Sequence, residues 1–313
     1  MLSISRRKFV AMAGGATAAA AAGALLPRSA FATPLGLPVG IQLYMVSKPL
    51  KDDPAGTLKQ LVALGYKEVE SAGIEGNPQD FRKMLDDNGL KCPSCHLQLT
   101  TGDPSKAFDT AHTLGASYAV SSVLRVISPE FIKAAQAARD SGGPAPKLPE
   151  MGPDDFKRTA ERMNELGKLA KAAGLTYAYH NHNFEFVKMP DGNPGYDILL
   201  KESDPELVKF EVDCGWMTVA GYNPPTYFSK YPGRFRMLHI KDFKPTEHPT
   251  TSLMGPERPG GADLGAGFVD YKPIFAGAKS AGIQHIFMEQ EAPFAVSQLE
   301  SAKVDIAYLQ KLG

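Results

Sequence analysis

The chain has 313 residues, of which 43% are hydrophobic and 22% charged. This is enough for one large buried core and gives no compositional sign of disorder. The formal net charge is zero, but residues 1–32 hold four basic side chains and no acidic one, so the remainder carries 30 bases against 34 acids. A mildly acidic body argues against nucleic acid as a partner.

The first 32 residues have the pattern of a cleavable export signal. The run SRRKFV at 5–10 precedes an alanine-rich apolar stretch that ends at Leu26, and AFA at 30–32 has the small-x-small pattern of a cleavage site. The arrangement resembles a twin-arginine signal peptide. It predicts export to the periplasm by the twin-arginine machinery, a mature chain from Thr33, and no stable membrane span after cleavage. An uncleaved anchor is the alternative, although the stretch is short and Ala/Gly-rich for a span of roughly 20 residues.

From residue 33 onward, short β-rich runs alternate with amphipathic helical stretches, which is typical of βα units around a parallel sheet. The predicted strands are 39–44, 66–71, 91–98, 116–123, 175–182, 207–213, 235–241 and 284–289. The predicted helices are 54–64, 78–88, 104–114, 153–173, 196–202, 224–230, 271–281 and 296–312. Eight parallel strands predict a closed barrel, so residues 33–313 are expected to form a single (β/α)8 domain, a TIM barrel.

Two connections are too long to be simple turns, namely 125–152 and 244–267. Both follow a predicted strand and would therefore lie on the C-terminal face of the barrel. Active-site loops are built on that face.

The three cysteines are Cys92, Cys95 and Cys214, and the first two have the spacing of a redox motif. Both fall within the predicted third strand. An extended backbone would hold residues three apart too far from each other for a disulfide. We therefore expect no bridge and no thioredoxin-like role.

Acidic and imidazole side chains concentrate where the last four predicted strands end. The runs are YHNHNFEF at 179–186, EVDCGW at 211–216, HIKD at 239–242 and MEQE at 288–291. In a TIM barrel, the carboxyl ends of the strands surround the active site. Each run is therefore expected to project polar groups into one mouth.

Two carboxylates from neighbouring strands, a third from the eighth strand and a histidine between them would form an oxygen-rich cation site. Such a set suits Mn²⁺, Mg²⁺ or Co²⁺ better than a structural Zn²⁺, whose sites favour cysteine and histidine. Any one of these residues alone is explained by a salt bridge or a loop cap. Their occurrence on successive strand ends favours a metal.

These segments resemble the xylose isomerase-like TIM-barrel superfamily, in the branch usually labelled sugar phosphate isomerase/epimerase. The resemblance also includes GIQLY at 40–44, AG at 220–221, KYPGR at 230–234 and LGAG at 264–267. It covers nearly the whole mature chain. It identifies the superfamily and not the substrate, because such barrels host isomerases, epimerases, dehydratases, lyases and endonucleases.

The resemblance implies a ligand set of Glu, Asp, His and Glu, which maps onto a strand-five residue followed by Asp213, His239 and Glu289. The strand-five ligand is either Glu185, which we favour, or His180, which stands where many relatives have the glutamate. Mn²⁺ is the expected metal. If His180 and His182 both bind the metal, the added nitrogen ligands favour Zn²⁺ or Fe²⁺.

The resemblance also implies a mechanism on a keto-sugar. A divalent ion bound to adjacent carbonyl and hydroxyl oxygens would stabilise the enediolate formed by deprotonation of the neighbouring carbon. Glu185 and Glu289 would lie on either face of the substrate and exchange its proton, with His182 as the alternative base.

Other polar groups at the strand ends are predicted to contact the sugar, and Trp216 would offer a face to a pyranose or simply pack in a loop. The predicted substrate contacts are Gln42, Glu70, His96, His180, Trp216 and Lys241.

Export favours a non-phosphorylated substrate, because phosphorylated sugars are chiefly cytoplasmic. The predicted function is a divalent-metal-dependent isomerase or epimerase acting through an enediolate on a non-phosphorylated keto-sugar or sugar derivative in the periplasm. Two alternatives stay open: a metal-dependent lyase or hydrolase that cleaves 3-keto-glycosides by β-elimination, and a non-catalytic periplasmic sugar-binding protein. An endonuclease-like barrel is disfavoured because it would need a basic surface.

Overall fold

The computed structural model describes residues 33–313 except positions 75, 101, 142, 145 and 148. The predicted signal peptide at 1–32 lies outside the described residues. Within them, no helix combines the length and the apolar character needed to cross a bilayer.

The described part of the chain forms a closed barrel of parallel strands in the order β1-β10-β7-β6-β5-β4-β3-β2. In chain order, the strands are β1 Val39–Gln42, β2 Glu68–Ser71, β3 Lys91–His96, β4 Tyr118–Ser122, β5 Thr176–His180, β6 Val208–Asp213, β7 Phe235–Ile240, β8 Asp242–Phe243, β9 Gly261–Ala262 and β10 His285–Met288. Strands β8 and β9 form a separate antiparallel pair. The predicted single-domain TIM barrel is confirmed, with β10 as the eighth barrel strand.

Helices surround the barrel. They are α1 Ser47–Asp52, α2 Pro54–Leu64, α3 Pro78–Asp87, α4 Ser105–Leu114, α5 Pro129–Asp140, α6 Pro153–Ala172, α7 Gly195–Glu202, α8 Cys214–Val219, α9 Pro224–Lys230, α10 Tyr271–Ala278 and α11 Gln298–Leu312. Helix α5 lies in the long connection 125–152, where no helix was predicted. Its start follows the usual rule, because Ser128 caps the backbone N–H of Phe131 and Pro129 opens the first turn.

The helix boundaries follow from capping chemistry. In α2, the Asp53 carboxylate accepts the N–H of Gly56, and Pro54 occupies the first turn. The same helix ends at Gly65, whose φ of 113° is left-handed and favours glycine. Local signals of this kind explain why the predicted positions of the outer helices were close to those observed.

A cluster of apolar side chains, here called the apolar plug, fills the barrel interior on the amino-terminal side of the polar strand ends. It consists of Tyr118, Val120, Ala178, Met237 and Phe287, all buried. Gly40 allows this packing, because a Cβ atom there would lie 2.5 Å from the Phe287 ring. The plug closes the barrel below the polar side chains at the other end, so those side chains are screened from solvent on that side.

Strand β3 contains a bulge that the sequence did not predict. Glu68 pairs with Lys91 and Glu70 pairs with Ser94, so three steps on β3 oppose two on β2. The irregularity brings the Sγ atoms of Cys92 and Cys95 to 3.8 Å. The expectation that these cysteines are held apart was therefore wrong, because it assumed a regularly extended strand.

Candidate functional site

A buried polar cluster occupies the carboxyl ends of the barrel strands. Its members come from seven of the eight strands or from the residues that follow them: Gln42, Glu70, His96, His180, Glu211, Asp213, His239, Lys241, Glu289 and Glu291. All but His96 and Glu291 are less than one-tenth exposed. The predicted concentration of polar groups at one barrel mouth is therefore present, and the parallel strand order explains it.

His239 is the centre of the cluster. Its Nε2 atom lies 2.6 Å from Oε2 of Glu70 and 3.2 Å from Oε2 of Glu211, and its Nδ1 atom lies 2.9 Å from Oε2 of Glu289. The ring stands between acids contributed by β2, β6 and the end of β10. His239 thus connects opposite sides of the mouth.

Two further histidines converge on Glu211. Nε2 of His96 and Nδ1 of His180 lie 2.8 and 3.0 Å from Oε2 of that carboxylate. Nε2 of His180 lies 3.6 Å from Oδ2 of Asp213. The other Asp213 oxygen accepts the backbone N–H of Trp216 at 2.8 Å and so caps α8. Asp213 is thereby fixed with Oδ2 facing the cluster.

Glu70 is held from two neighbouring strands. Gln42 donates from Nε2 to its Oε2 atom at 2.8 Å, and Ser94 donates from Oγ to its Oε1 atom at 2.5 Å. The Glu70 side chain is completely buried. In the structure, Gln42 and Glu70 contact each other, and Glu70 contacts the histidine cluster. Their predicted contacts with a sugar stay predictions.

Charge compensation within the cluster is strong. Burial disfavours a charged His96, but Glu70 and Glu211 outweigh it and raise the pKa of His96 to about 10. The same two acids, with Glu211 the larger influence, outweigh burial and raise the pKa of His239 well above its usual range. The surrounding carboxylates therefore favour the protonated form of both imidazoles. A divalent cation would provide the same charge compensation.

Two overlapping groups of side chains have metal-ligand geometry. One is His180, Asp213, His239 and Glu289, and the other is His96, His180, Glu211 and His239; within each group the ligand atoms lie within 4.8 Å of one another. The Oε1 atom of Glu211 is buried without a hydrogen-bond partner in the described part of the chain. An unpaired buried carboxylate oxygen is unfavourable unless a cation or donor meets it, so the donors present fit a metal.

Glu185 does not join either group. Its Oε1 atom accepts the Tyr179 hydroxyl at 2.7 Å, and its Oε2 atom accepts the His182 N–H at 2.8 Å. Both oxygens are thus used by groups on β5 and in the loop that follows it. The geometry places His180 and not Glu185 beside Asp213 and His239, so it supports His180, the alternative strand-five ligand. The roles of Glu185 as ligand and base stay predictions.

His182 and Trp216 lie beside the cluster. The centroids of their rings are 6.1 Å apart, and the Nδ1 atom of His182 is buried with no hydrogen-bond partner among the residues that the structure describes. Burial and then Lys241 lower the pKa of His182 to about 3, so the ring is neutral at physiological pH. This makes His182 a weak proton acceptor and a poorer candidate base than the sequence suggested. Its polar edge remains able to hydrogen-bond a ligand.

Trp216 is fully buried and its indole N–H donates to Oε1 of Glu291 at 2.9 Å. The ring packs against Phe243 with centroids 4.4 Å apart, and the Arg258 guanidinium lies over it at 5.6 Å. Arg258 belongs to the β8–β9 segment, residues 244–260, and also pairs with Glu291. The ring is covered in this conformation, so the packing alternative describes it and a sugar would reach it only if Arg258 moved.

Two residues of the cluster, Glu211 and Glu291, and the Ser94 side chain that contacts it were not predicted from the sequence as site residues. A signal for Glu211 was available, since it lies two residues before Asp213 on β6 and alternate strand residues face the same side. The same alternation relates Glu291 to Glu289. Ser94 offered no such signal, because its orientation depends on the bulge in β3.

The fold and the cluster define a class: a TIM barrel with a candidate divalent-metal site at the C-terminal mouth. The profile of the xylose isomerase-like TIM barrel family matches residues 58–312. The chain belongs to that family. The resemblance found in its sequence motifs is thereby confirmed.

Its relatives carry the names of sugar-modifying enzymes. The inosose dehydratase of Lacticaseibacillus casei is 26% identical over 241 residues, covering 72% of this chain and 77% of that protein. The inosose dehydratase of Clostridium beijerinckii is 30% identical over 128 residues, covering 39% of this chain and 42% of that protein, so this match spans less than half of it. A crystal structure of a sugar phosphate isomerase/epimerase from Parabacteroides distasonis is similar with a TM-score of 0.66 and 27% identity, covering 88% of this chain and 94% of that one.

Proposed function

We propose that the chain is a divalent-metal-dependent isomerase or epimerase that acts through an enediolate on a non-phosphorylated keto-sugar or sugar derivative. The observation that carries the proposal is the group of His180, Asp213, His239 and Glu289, whose ligand atoms lie within 4.8 Å of one another. These residues come from the carboxyl ends of β5, β6, β7 and β10, which are consecutive around the barrel.

The four residues of this group would hold one metal ion. Two imidazoles and two carboxylates form a mixed donor set that suits Mn²⁺, fits Co²⁺, Zn²⁺ or Fe²⁺, and is less favourable for Mg²⁺, which prefers oxygen. A divalent ion bound there supplies a Lewis acid for the carbonyl and hydroxyl oxygens of the sugar. The remaining chemistry falls to the side chains around it.

Proton transfer needs carboxylates on either side of the reacting carbon. Glu289 and Glu211 contact His239 through its two different nitrogens, at 2.9 and 3.2 Å, and so lie on opposite sides of the ring. Burial opposes ionisation of Glu289, but Lys241 and His239 outweigh it and lower its pKa, so it is a carboxylate at neutral pH. We assign the proton exchange to Glu289 and Glu211, with Glu211 in the role that the sequence gave to Glu185.

The neighbouring cation has a positioning role. Nζ of Lys241 lies 2.6 Å from Glu289 and 2.9 Å from Asp213, so it orients both carboxylates. It would also stabilise negative charge that develops on a substrate oxygen at the mouth. His182 is neutral, and its Nδ1 atom has no hydrogen-bond partner within the described ranges, so it would hydrogen-bond a hydroxyl of the sugar.

A second function has a specific observation in its favour. Two relatives are named inosose dehydratase, and a dehydration begins with the same removal of a proton beside a carbonyl. A lyase that eliminates an alcohol from a 3-keto-glycoside would share this first step. The two functions differ in the second step, which is reprotonation of the carbon in one and loss of the β-substituent in the other.

Export to the periplasm is a further part of the proposal. It rests on the twin arginines at positions 6 and 7 and the AFA run at 30–32. Fractionation of cells expressing the tagged full chain tests it. The tagged protein is expected in the periplasm, and the double change Arg6→Lys and Arg7→Lys is expected to retain it in the cytoplasm; periplasmic location of both chains by another route would contradict the twin-arginine prediction.

The metal is tested first on the chain from Thr33 by elemental analysis of the wild type, Asp213→Asn and His239→Ala. We expect about one metal ion per chain in the wild type and a loss in both variants. Glu68→Gln is the matched control, because Glu68 pairs with His285 at 2.8 Å at the opposite end of the barrel. A wild type without metal that Mn²⁺ neither binds nor stabilises would favour the sugar-binding alternative.

The reaction is tested by incubating the metal-loaded enzyme with keto-sugars and 3-keto-glycosides in D₂O and recording NMR spectra. Exchange of the proton beside the carbonyl with formation of an epimer or isomer supports the main proposal. Release of the aglycone with an unsaturated ketone supports the lyase. Binding of sugars without any exchange would contradict both enzymatic functions.

A further inference from the structure

Cys92 and Cys95 form a pair of adjacent thiols on β3, outside the polar cluster. Their Sγ atoms lie 3.8 Å apart, and the two residues are 3% and 1% exposed. No role in metal binding or proton transfer has been assigned to either. Cys214, the third cysteine of the chain, lies on α8.

The bulge in β3 explains why the two thiols share a face. Ser94 contacts Glu70 and His96 contacts Glu211, so both side chains point into the barrel. Cys95 stands between them and therefore points outward, to the helix layer. Between the pairs Glu68–Lys91 and Glu70–Ser94, β3 has one residue more than β2. This extra residue turns Cys92 to the same side as Cys95.

We propose that Cys92 and Cys95 are a redox pair that closes to a disulfide when a disulfide oxidant is supplied. A bonded pair of sulfurs is separated by about 2 Å. The observed contact of 3.8 Å therefore leaves a gap that side-chain rotation with a small backbone adjustment can close. A regular strand would not allow this, because outward residues would be two or four apart and not three.

The chemistry is thiol–disulfide exchange with a small disulfide such as oxidised glutathione. The Cys92 sulfur attacks one sulfur of the oxidant, forms a mixed disulfide and expels one glutathione thiolate. The Cys95 sulfur then attacks the Cys92 sulfur and expels the second thiolate. Two S–H bonds are lost, one S–S bond is formed, and the two electrons and two protons leave with two molecules of reduced glutathione.

The order of the two steps follows from the state of Cys95. The hydrogen bond with Cys92, and then burial, raise the pKa of Cys95, which disfavours its thiolate. We therefore give Cys95 the second attack, which is intramolecular, and Cys92 the first.

Formation of the Cys92–Cys95 disulfide would affect the segment of β3 that supports the candidate site. Ser94, which donates to Glu70 at 2.5 Å, lies inside the ring that the disulfide would close, and His96 follows it directly. A covalent link between positions 92 and 95 fixes the bulge and thereby the orientation of both side chains. The oxidised protein is therefore expected to unfold at a higher temperature than the reduced protein.

The test counts thiols in the chain from Thr33 after prolonged incubation, and separately after refolding, in oxidised glutathione. Free thiols are alkylated under denaturing conditions and counted by mass spectrometry. We expect one alkylated cysteine in place of three, a mass lower by about 2 Da before alkylation because two hydrogens are lost, and a peptide linking positions 92 and 95. Cys214→Ser is the matched control and is expected to show no free thiol after oxidation.

Cys92→Ser and Cys95→Ser are expected to lose both the linked peptide and the rise in melting temperature on oxidation. Retention of all three thiols in the wild type under both conditions would overturn the proposal. A disulfide that joins Cys214 to either partner instead would also overturn it. The thiol count does not depend on metal or substrate, so its outcome is independent of the proposed enzymatic function.

Discussion

The Nζ atom of Lys241 lies 2.6 Å from Oε2 of Glu289 inside the barrel mouth, and the lysine is 1% exposed. Asp213 and Glu291 each lie 2.9 Å from the same ammonium group. Burial alone would disfavour the charge, but these acids outweigh it and raise the pKa of Lys241 well above its usual range. One buried cation therefore compensates carboxylates from the ends of two barrel strands.

Lys241→Met is expected to destabilise the metal-free protein and to make it more dependent on metal. Removing one partner of a buried ion pair leaves uncompensated charge and costs about 3–5 kcal/mol of unfolding free energy. A bound dication would take over the compensation, so Mn²⁺ should raise the melting temperature of the variant more than that of the wild type. Differential scanning calorimetry with and without Mn²⁺ measures this difference.

Lys303→Met serves as the control for this experiment, because Lys303 pairs with Glu300 at 3.2 Å on the surface of α11. Its effect is expected to stay below about 1 kcal/mol and to be independent of Mn²⁺. An equal Mn²⁺ shift in the wild type and in Lys241→Met would contradict the view that the lysine and the metal compensate the same carboxylates.

Glu185→Gln is expected to keep both its metal and its stability at neutral pH. Burial, opposed by the hydrogen bond from Tyr179, raises the pKa of Glu185 to about 8, so a neutral side chain already occupies this position at pH 7. The amide can accept the His182 N–H and donate to the Tyr179 oxygen. Elemental analysis and thermal unfolding of the variant measure the two properties.

Glu185→Ala is the informative comparison. It leaves a cavity and two donors without an acceptor, and is expected to lower the unfolding free energy by about 2–5 kcal/mol while leaving the metal content of the folded protein unchanged. Loss of metal in Glu185→Gln, at unchanged stability, would restore Glu185 as the strand-five ligand.

The sequence predicted the barrel well because each βα unit carries its own local signals. In α2, for example, the proline at the start and the left-handed Gly65 at the end are local signals within a few residues of the helix boundaries. Eight such units in succession then predict a closed barrel. The mouth could also be predicted, since polar runs at 179–186, 211–216, 239–242 and 288–291 follow predicted strands. Strand order turns these separate runs into one cluster.

The details of the site depend on geometry that sequence position does not encode. Glu185 was favoured as a ligand because a loop residue can swing toward the metal, but the Tyr179 hydroxyl and the His182 N–H hold it elsewhere. Which carboxylate faces the cluster is decided by such competing partners. The contact between Cys92 and Cys95 depends in the same way on the bulge in β3, which arises from pairing with β2.

Asp305→Asn is expected to flatten part of the pH dependence of stability. Burial, opposed by the Leu264 N–H and reinforced by Asp263, raises the pKa of Asp305 to about 8. The folded state then keeps a proton that the unfolded state loses above about pH 4. Asp305 therefore contributes favourably to the free energy of unfolding at low pH, and this contribution is lost as the pH rises toward 8. The free energy of unfolding falls by at most about 1.4 kcal/mol per pH unit from this group.

The measurement is urea-induced unfolding of wild type and Asp305→Asn between pH 5 and 9. The amide can still accept the Leu264 N–H, which the carboxylate accepts at 2.6 Å. The variant is expected to become more stable relative to the wild type as the pH rises, and the difference should level off above about pH 8. A difference that stays constant across the range would show that Asp305 titrates normally in the folded protein.

Arg258→Ala is expected to uncover Trp216. Trp216 is the single tryptophan of the chain, so its fluorescence reports on this region alone. The Arg258 guanidinium lies 5.6 Å from the ring centroid and pairs with Glu291, which in turn accepts the indole N–H. Loss of the guanidinium removes a cation–π contact and a partly exposed ion pair, worth about 1 kcal/mol together.

The emission of Trp216 in this variant should shift to longer wavelength, and acrylamide should quench it more strongly, because water reaches the ring once the β8–β9 segment loses its anchor. Arg162→Ala is the matched control, since Arg162 pairs with Glu165 at 3.0 Å on α6. If Trp216 stacks against a sugar in the working enzyme, keto-sugars that bind the wild type should reverse the shift in Arg258→Ala. Emission identical in wild type and variant would mean that Phe243 and Lys241 suffice to cover the ring, and the segment would then have no part in admitting a ligand to it.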